Sequence, residues 1–217
     1  MLGILQKLFT MFNKLTGQKF YGLIRGNQQR KYNAKLKDSM DISLLNSCID
    51  SYNTTIRDEK LINKSLKKKK IRLSNFPSHI SENIAKFAIA NKYGIVPSWD
   101  TKKGDLVIEY DHDILQLEVK GSINLNDTLP TYGPTETWDH IYFVDGVHTQ
   151  EKIYTVYEIK LSNASDTWRN IKVNKSQTFQ DQCNEKRRPR LTFSSLQQQL
   201  GSHCNIIFQG HIDELSL

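Results

Sequence analysis

The 217-residue chain carries 30 Lys and Arg against 23 Asp and Glu, a formal charge of +7, and 38% of its residues are hydrophobic. That length holds one medium-sized domain or a core with an appended lobe, and two full domains would crowd it. The basic excess favours a polyanionic partner, either nucleic acid or an anionic membrane surface. Cys48, Cys183 and Cys204 lie far apart without a CxxC pair, so the sequence suggests neither a disulfide framework nor a zinc site, and a reducing cytoplasm is expected.

In chain order, Leu5, Leu8, Phe12 and Leu15 form one apolar helical stripe that Gly17 can end. Gln6 and Lys7 interrupt any secretory h-region, and the stripe is read as core or subunit packing rather than membrane attachment. No apolar run approaches the roughly 18 residues of a spanning helix. Residues 18–75 are polar and Lys/Asn-rich. A helix is predicted around 38–52 on Met40, Ile42, Leu44, Leu45 and Ile49, followed by the charged run SLKKKKIR at 65–72. Residues 1–75 are therefore expected to be a helical, basic N-terminal region serving dimerisation or DNA contact, with the core in 76–217. At the start of that core, Ser78 is the expected N-cap, Ile80, Ile84, Phe87 and Ala88 the apolar stripe, and Gly94 the stop of a helix.

Short alternating or apolar segments follow: LVIEY (106–110), ILQLEVK (114–120), HIYFV (140–144), KIYTVYEIKL (152–161) and NIIFQG (205–210) read as strands. LTFSSLQQQLG reads as a strand leading into a helix closed by Gly201. Helices, then strands, then a mixed tail predict an α/β or α+β fold with a central mixed sheet flanked by helices.

One stretch concentrates chemistry. GDLVIEYDHDILQLEVKGS places Asp105 at the mouth of one strand, turns through Asp111, His112 and Asp113, and returns along a second strand bearing Glu118 and Lys120. With a period of two, Leu115, Leu117 and Val119 point to one face and Gln116, Glu118 and Lys120 to the other. Charged side chains on an otherwise apolar strand are costly to bury without a purpose. Phosphodiester hydrolysis needs a hard cation held by oxygen ligands, an activated water and positive charge on the transition state. Asp105, Glu118 and the Val119 carbonyl are assigned to Mg²⁺. Lys120 is assigned to positioning or deprotonating the water and to stabilising negative charge, and proton loss by the ammonium would require a depressed pKa.

These residues resemble the PD-(D/E)xK nucleases, and the surrounding chain resembles the type II restriction endonucleases of that superfamily. The resemblance runs from about residue 74 to 210, through NFPSHISENIA, GDLVIEY, LQLEVKGS, YGPTETWDHIYFVDG and RRPRLTFSSLQQQ. It implies a restriction-endonuclease-like core in 76–217, with recognition elements toward the C-terminus. It also implies a cytoplasmic, Mg²⁺-dependent, sequence-specific double-strand cut, and a DNA methyltransferase as companion. In such enzymes a glutamate on the helix before the catalytic hairpin joins the site directly or through water, and Glu82 matches that position. Thr135 and Glu136 approach the substrate on the strength of the resemblance alone. Gly104 stands where the superfamily name has proline, a position that varies.

The carboxylate-x-Lys pattern recurs at Asp58/Lys60, Asp100/Lys102 and Glu158/Lys160. The first two lie outside apolar strands. Glu158/Lys160 is the serious rival, because Asp145 precedes Glu158 by the same thirteen positions that separate Asp105 from Glu118. If Glu118 is catalytic, Glu158 and Lys160 become sheet residues facing solvent or DNA. Candidate DNA contacts are Lys67, Lys68, Lys69 and Lys70, then Arg169, Lys172, Asn174 and Lys175, then Arg187, Arg188 and Arg190. Arginine forks and amides suit both phosphates and base edges, and an ordinary solvated face is the alternative for each group. Trp138 is expected in the core. Six histidines, His112 and His140 among them, show no metal-ligand spacing, and no GxxxxGK[ST] loop is present.

The main reading is a homodimer, each subunit cutting one strand of a palindromic site. A structure-selective nuclease (a junction resolvase or repair nickase) and a non-catalytic basic module, in which Glu118 and Lys120 are only an ion pair, are the alternatives.

Overall fold

The computed structural model of the chain describes residues 40–67, 69–100, 105–110, 113–124 and 129–215. The N-terminal stripe of Leu5, Leu8, Phe12 and Leu15, together with Lys68, Gly104, Asp111 and His112, lies outside them.

Helix α1, Ile42–Ser65, begins at Asp41, whose carboxylate accepts the Leu44 N–H at 2.8 Å, and outruns the segment expected from the apolar spacing by more than three turns. Its buried stripe of Leu45, Ile49, Tyr52, Asn53 and Ile56 follows the helical period. At its far end the chain turns back through Asn63, whose side chain pairs with both the N–H and the carbonyl of Ile71 at 2.7 and 2.9 Å. Lys70 donates to the Asn63 and Leu66 carbonyls, placing its charge at the negative end of the helix.

Helix α2, Ser78–Tyr93, starts one position off expectation. Pro77, with φ −68°, is the N-cap and Ser78 the first helical residue, so the preset proline φ takes the place of a side-chain cap. Gly94 ends the helix in the left-handed region at φ +68°. Beyond the expected stripe, Ser81, Glu82, Asn83, Ala85, Ile89 and Ala90 are also buried, because α2 lies in the same core as α1 and the sheet.

The sheet has six strands in sequence order: β1 Ser98–Trp99, β2 Leu106–Tyr110, β3 Asp113–Ser122, β4 His140–His148, β5 Ile153–Ile159 and β6 Cys204–His211. All pairs are antiparallel except β3 with β4, so the sheet is mixed and the fold is α+β, as expected. One face carries Leu117, Val119, Tyr142, Val144, Tyr154 and Val156 against α1 and α2. The other carries Ile141, Phe143 and Ile159 against Tyr132, Trp138 and three short helices: α3 Asp166–Arg169, α4 Phe179–Asn184 and α5 Phe193–Leu200. Trp138 is buried as expected, its ring 5.3 Å from that of Trp168. Thr192, which the sequence placed at the end of a strand, is instead the N-cap of α5, accepting from Ser195 N–H at 3.2 Å. Where α2 crosses β3, Gly121 makes the close approach possible: a Cβ there would stand 2.4 Å from Ser81 Cβ. Among the described residues, no helix is long and apolar enough to cross a membrane.

Candidate active site

The β2–β3 ladder ends at Leu106 opposite Leu117, so Asp105, one residue outside it, comes to the strand end near Glu118, close enough to raise that carboxyl. Asp105 is locked there by its own backbone N–H donating to the Leu117 carbonyl at 3.3 Å and by its Oδ2 accepting the Val119 N–H at 2.8 Å. Lys120, two residues beyond Glu118 and on the same face, donates to Glu118 Oε1. A fourth group arrives from the chain before β4. Glu136 brings Oε2 to 3.5 Å from Lys120 Nζ, while Arg188 Nη2 stands 4.0 Å from its Oε1. Beneath them the Tyr132 ring centroid is 5.8 Å from Lys120 Nζ.

The electrostatics follow from packing several charges at a nearly dry strand end. Burial first, and then the neighbouring Asp105, lift the Glu118 carboxyl to about 7, Glu136 adding to the rise and Lys120 opposing it. Burial works to lower the Lys120 pKa, but Glu118, Glu136 and Asp105 outweigh it and raise the ammonium above the ordinary lysine value. Without a metal, Lys120 is therefore a cation and not a base. Because Glu118 holds its proton more tightly folded than unfolded, its stabilising contribution is complete below its unfolded value near 4.5 and is lost as the pH rises through about 7. Glu118→Gln in EDTA is accordingly expected to melt above wild type at pH 8, by about 2 kcal/mol or roughly 4–8 °C, with the gap closing below about pH 5. Thermal melts at the two pH values check this. A variant melting lower at pH 8 would show that attraction to Lys120 outweighs burial.

The remaining candidates are distributed as follows. Glu82 is buried on α2 beside Ser81, on the helix that covers the Leu117, Val119 and Gly121 face of β3. Lys67 and Lys69 are exposed at the turn after α1, and Lys70 is committed to carbonyls at the end of that helix. Arg169, Lys172, Asn174 and Lys175 are exposed around a tight turn closed by a Lys172–Thr178 bridge. Asn174 Oδ1 accepts from Ser176 N–H, Ser176 O–H and Gln177 N–H, so that oxygen shapes the turn. Gln199 clamps the turn to α5 through both backbone polar groups of Lys172, at 2.7 and 3.1 Å. Arg187 is held by Glu185 and Gln177, at 3.3 and 3.2 Å, and Arg190 is exposed. The arginine segment runs alongside the strand-to-strand connection, Leu129 and Tyr132 donating to the Leu191 and Pro189 carbonyls, which is how Arg188 comes within reach of the Lys120 cluster.

The rival pair has a different environment. Tyr142 faces Glu158 across β4 and β5, whereas Asp145 faces Thr155, three rows away, so Glu158 has no carboxylate opposite it. The expectation that Glu158 faces solvent or DNA is overturned: it is 2% exposed, and its two oxygens accept the hydroxyls of Tyr93 at 2.7 Å and Tyr142 at 2.8 Å. Lys160 is half-exposed, 3.5 Å from Glu158 and over the Tyr93 ring. The two phenol hydroxyls, with Lys160 alongside, satisfy the buried carboxyl oxygens. Glu158→Ala strands both hydroxyls and is expected to cost about 2–4 kcal/mol of stability in denaturant titration while leaving cleavage by the folded protein intact. Lost cleavage in a fully folded Glu158→Ala protein would return the catalytic assignment to this pair.

A model of the Bsp6I restriction endonuclease family matches residues 44–200, a span that holds Glu82, Asp105, Glu118, Lys120 and Glu136. The type II restriction enzyme Bsp6I of Bacillus sp. (strain RFL6) is 28% identical over 135 residues, which cover 61% of this chain and 71% of that protein. No solved structure matches significantly. The chain belongs to the Bsp6I restriction endonuclease family and is a type II restriction enzyme, a site-specific deoxyribonuclease.

Proposed function

We propose that the enzyme hydrolyses both strands of duplex DNA with Mg²⁺ held by Asp105, Glu118 and the Val119 carbonyl, and with Lys120 as the resident cation. The observation that carries this reading is the meeting of Asp105 and Glu118 at the buried end of the β2–β3 hairpin, where burial and the second carboxylate push Glu118 up to about 7. Such a pair is relieved by a cation, and its all-oxygen donors suit a hard divalent ion. No three His, Cys, Asp or Glu side chains converge as a metal group among the described residues, so backbone, water and DNA oxygens complete the coordination in this reading. When bound, the ion supplies an activated water and neutralises charge on the phosphate.

Lys120 orients that water by hydrogen bonding and stabilises negative charge as it develops on the phosphate oxygens. The resemblance also gives Glu82 a part, directly or through water, although α2 packs the face of β3 opposite to Glu118 and Lys120. Arg188, next to the cluster, contacts the phosphate backbone near the cut. Arg169, Lys172, Asn174, Lys175, Arg187 and Arg190, with the lysines at 67–70, extend the contact along the duplex. Because one duplex cut needs two sites, the active species is a homodimer, with residues 1–75 contributing to subunit or DNA contact. A DNA methyltransferase that protects host sites is the functional companion, and both act in the cytoplasm.

Incubating supercoiled and linear DNA with the protein and Mg²⁺ is expected to give discrete fragments, and Ca²⁺ or EDTA in place of Mg²⁺ is expected to give none. Fragments formed in EDTA would sink the metal-dependent reading, and cleavage confined to branched DNA would sink the site-specific one.

A further inference from the structure

The catalytic hairpin accounts for Asp105, Glu118 and Lys120, and the resemblance brings Glu136 near the substrate without saying what it does there, although the fold holds it at several points. Its backbone N–H donates to the Gly133 carbonyl at 3.3 Å, and its carbonyl accepts from Asn163 Nδ2 at 2.7 Å. Asn163 also accepts the Trp138 N–H, so one side chain grips the segment on both sides of Thr137. The Glu136 side chain folds back over Gly133, where a Cβ would stand 2.7 Å from Oε1. Oε2 is buried without a hydrogen bond, 3.5 Å from Lys120 Nζ. A buried, unbonded carboxylate oxygen is costly unless a charge beside it compensates, and Lys120 is that charge.

Lys120 thus stands between two carboxylates that have different duties. Glu118 is the one assigned to the metal, and an oxygen committed to a divalent ion is a weaker partner for an ammonium. We infer that Glu136 is a positioning residue that holds Lys120 toward the scissile phosphate when Glu118 serves the metal. The inference rests on the proposed roles of Glu118 and Lys120. It separates Glu136 from the ligand set, in keeping with the lack of a three-carboxylate metal group among the described residues.

The test compares wild type with E136Q, G133A and E118Q. G133A keeps the Glu136 charge but intrudes on the place its carboxylate occupies, and Gly133 does not have a left-handed φ, so the strain falls on a flexible side chain. Two readouts are taken: acetylation of Lys120 by acetic anhydride in protein saturated with Ca²⁺, which engages Glu118 without cleavage, quantified by mass spectrometry against the other lysines, and single-turnover DNA cleavage with Mg²⁺. E136Q and G133A are expected to raise Lys120 labelling several-fold and to slow cleavage by about 10- to 100-fold, the effect of misplacing a reacting group by a fraction of an ångström to an ångström. Unchanged Lys120 labelling in both variants, or cleavage within about twofold of wild type in both, overturns the inference. If E136Q does not fold, G133A decides by the same two readouts. E118Q distinguishes the two levels: wild-type cleavage by E118Q would sink the site reading itself, whereas an inactive E118Q beside wild-type-like E136Q and G133A would sink only the role of Glu136.

Discussion

Glu118→Gln is expected to lower single-turnover DNA cleavage by at least about 10³-fold in saturating Mg²⁺, since it removes a charged oxygen donor from a site that works by charge. The same substitution relieves the crowding with Asp105, so activity and stability should move in opposite directions, the signature of a site built for function at a cost to the fold. Lys120→Ala should lose activity on a similar scale for a complementary reason: it removes the ammonium that contacts both Glu118 and Glu136 and offsets the crowding of acidic groups at the strand end. Rate constants on linear DNA with the wild-type, Glu118→Gln, Lys120→Ala and Glu158→Ala proteins decide the matter. A Glu118→Gln protein cutting within about tenfold of wild type would remove Glu118 from the chemistry.

The second large effect concerns the fold. Gly121→Ala places a methyl 2.4 Å from Ser81 Cβ and 2.8 Å from a Phe76 ring carbon, both inside a packed core where neither neighbour can simply swing away. It is expected to destabilise by about 3 kcal/mol or more, read as a shift of the denaturant midpoint at constant slope. Ser81→Gly in the same protein should restore part of the loss, because it deletes the nearest clashing atom, and a double-mutant cycle measures that coupling. Two purely additive substitutions would show that α2 moves away as a body. Because Gly121 follows Lys120 directly, any such movement would also disturb the strand that carries the proposed site, and cleavage should fall further than stability alone explains.

The parts of this molecule legible in the chain are those set by local periodicity and local chemistry. The alternation ILQLEVK places Glu118 and Lys120 on one face and Leu117 and Val119 on the other, and the structure keeps that division, with the apolar face against α1 and α2. Apolar spacing marks α2, and Gly94 ends it where expected. Its start lies one residue before the predicted one because proline and serine are both good starts, and only the chain's approach direction selects between them. Helix α1 runs beyond the predicted segment because its last turns bury no apolar stripe, Leu61 and Ile62 being exposed, and are completed by Ile71 and Lys70 returning to the helix end.

What sequence could not decide was which carboxylate-x-Lys pair has an acidic partner. Asp105 to Glu118 and Asp145 to Glu158 have identical spacing. One pair straddles an antiparallel hairpin in register; the other has a bulged β4–β5 pairing that puts Asp145 opposite Thr155. Composition, alternation and capping determined the mixed α+β architecture and named Asp105, Glu118 and Lys120, because those signals lie within a few residues of one another. Tertiary structure alone decided that Tyr93 and Tyr142 would satisfy Glu158, and that Glu136 and Arg188 would meet at Lys120. Those contacts join residues 16 to 65 positions apart, and strand register and loop docking, rather than local spacing, bring them together.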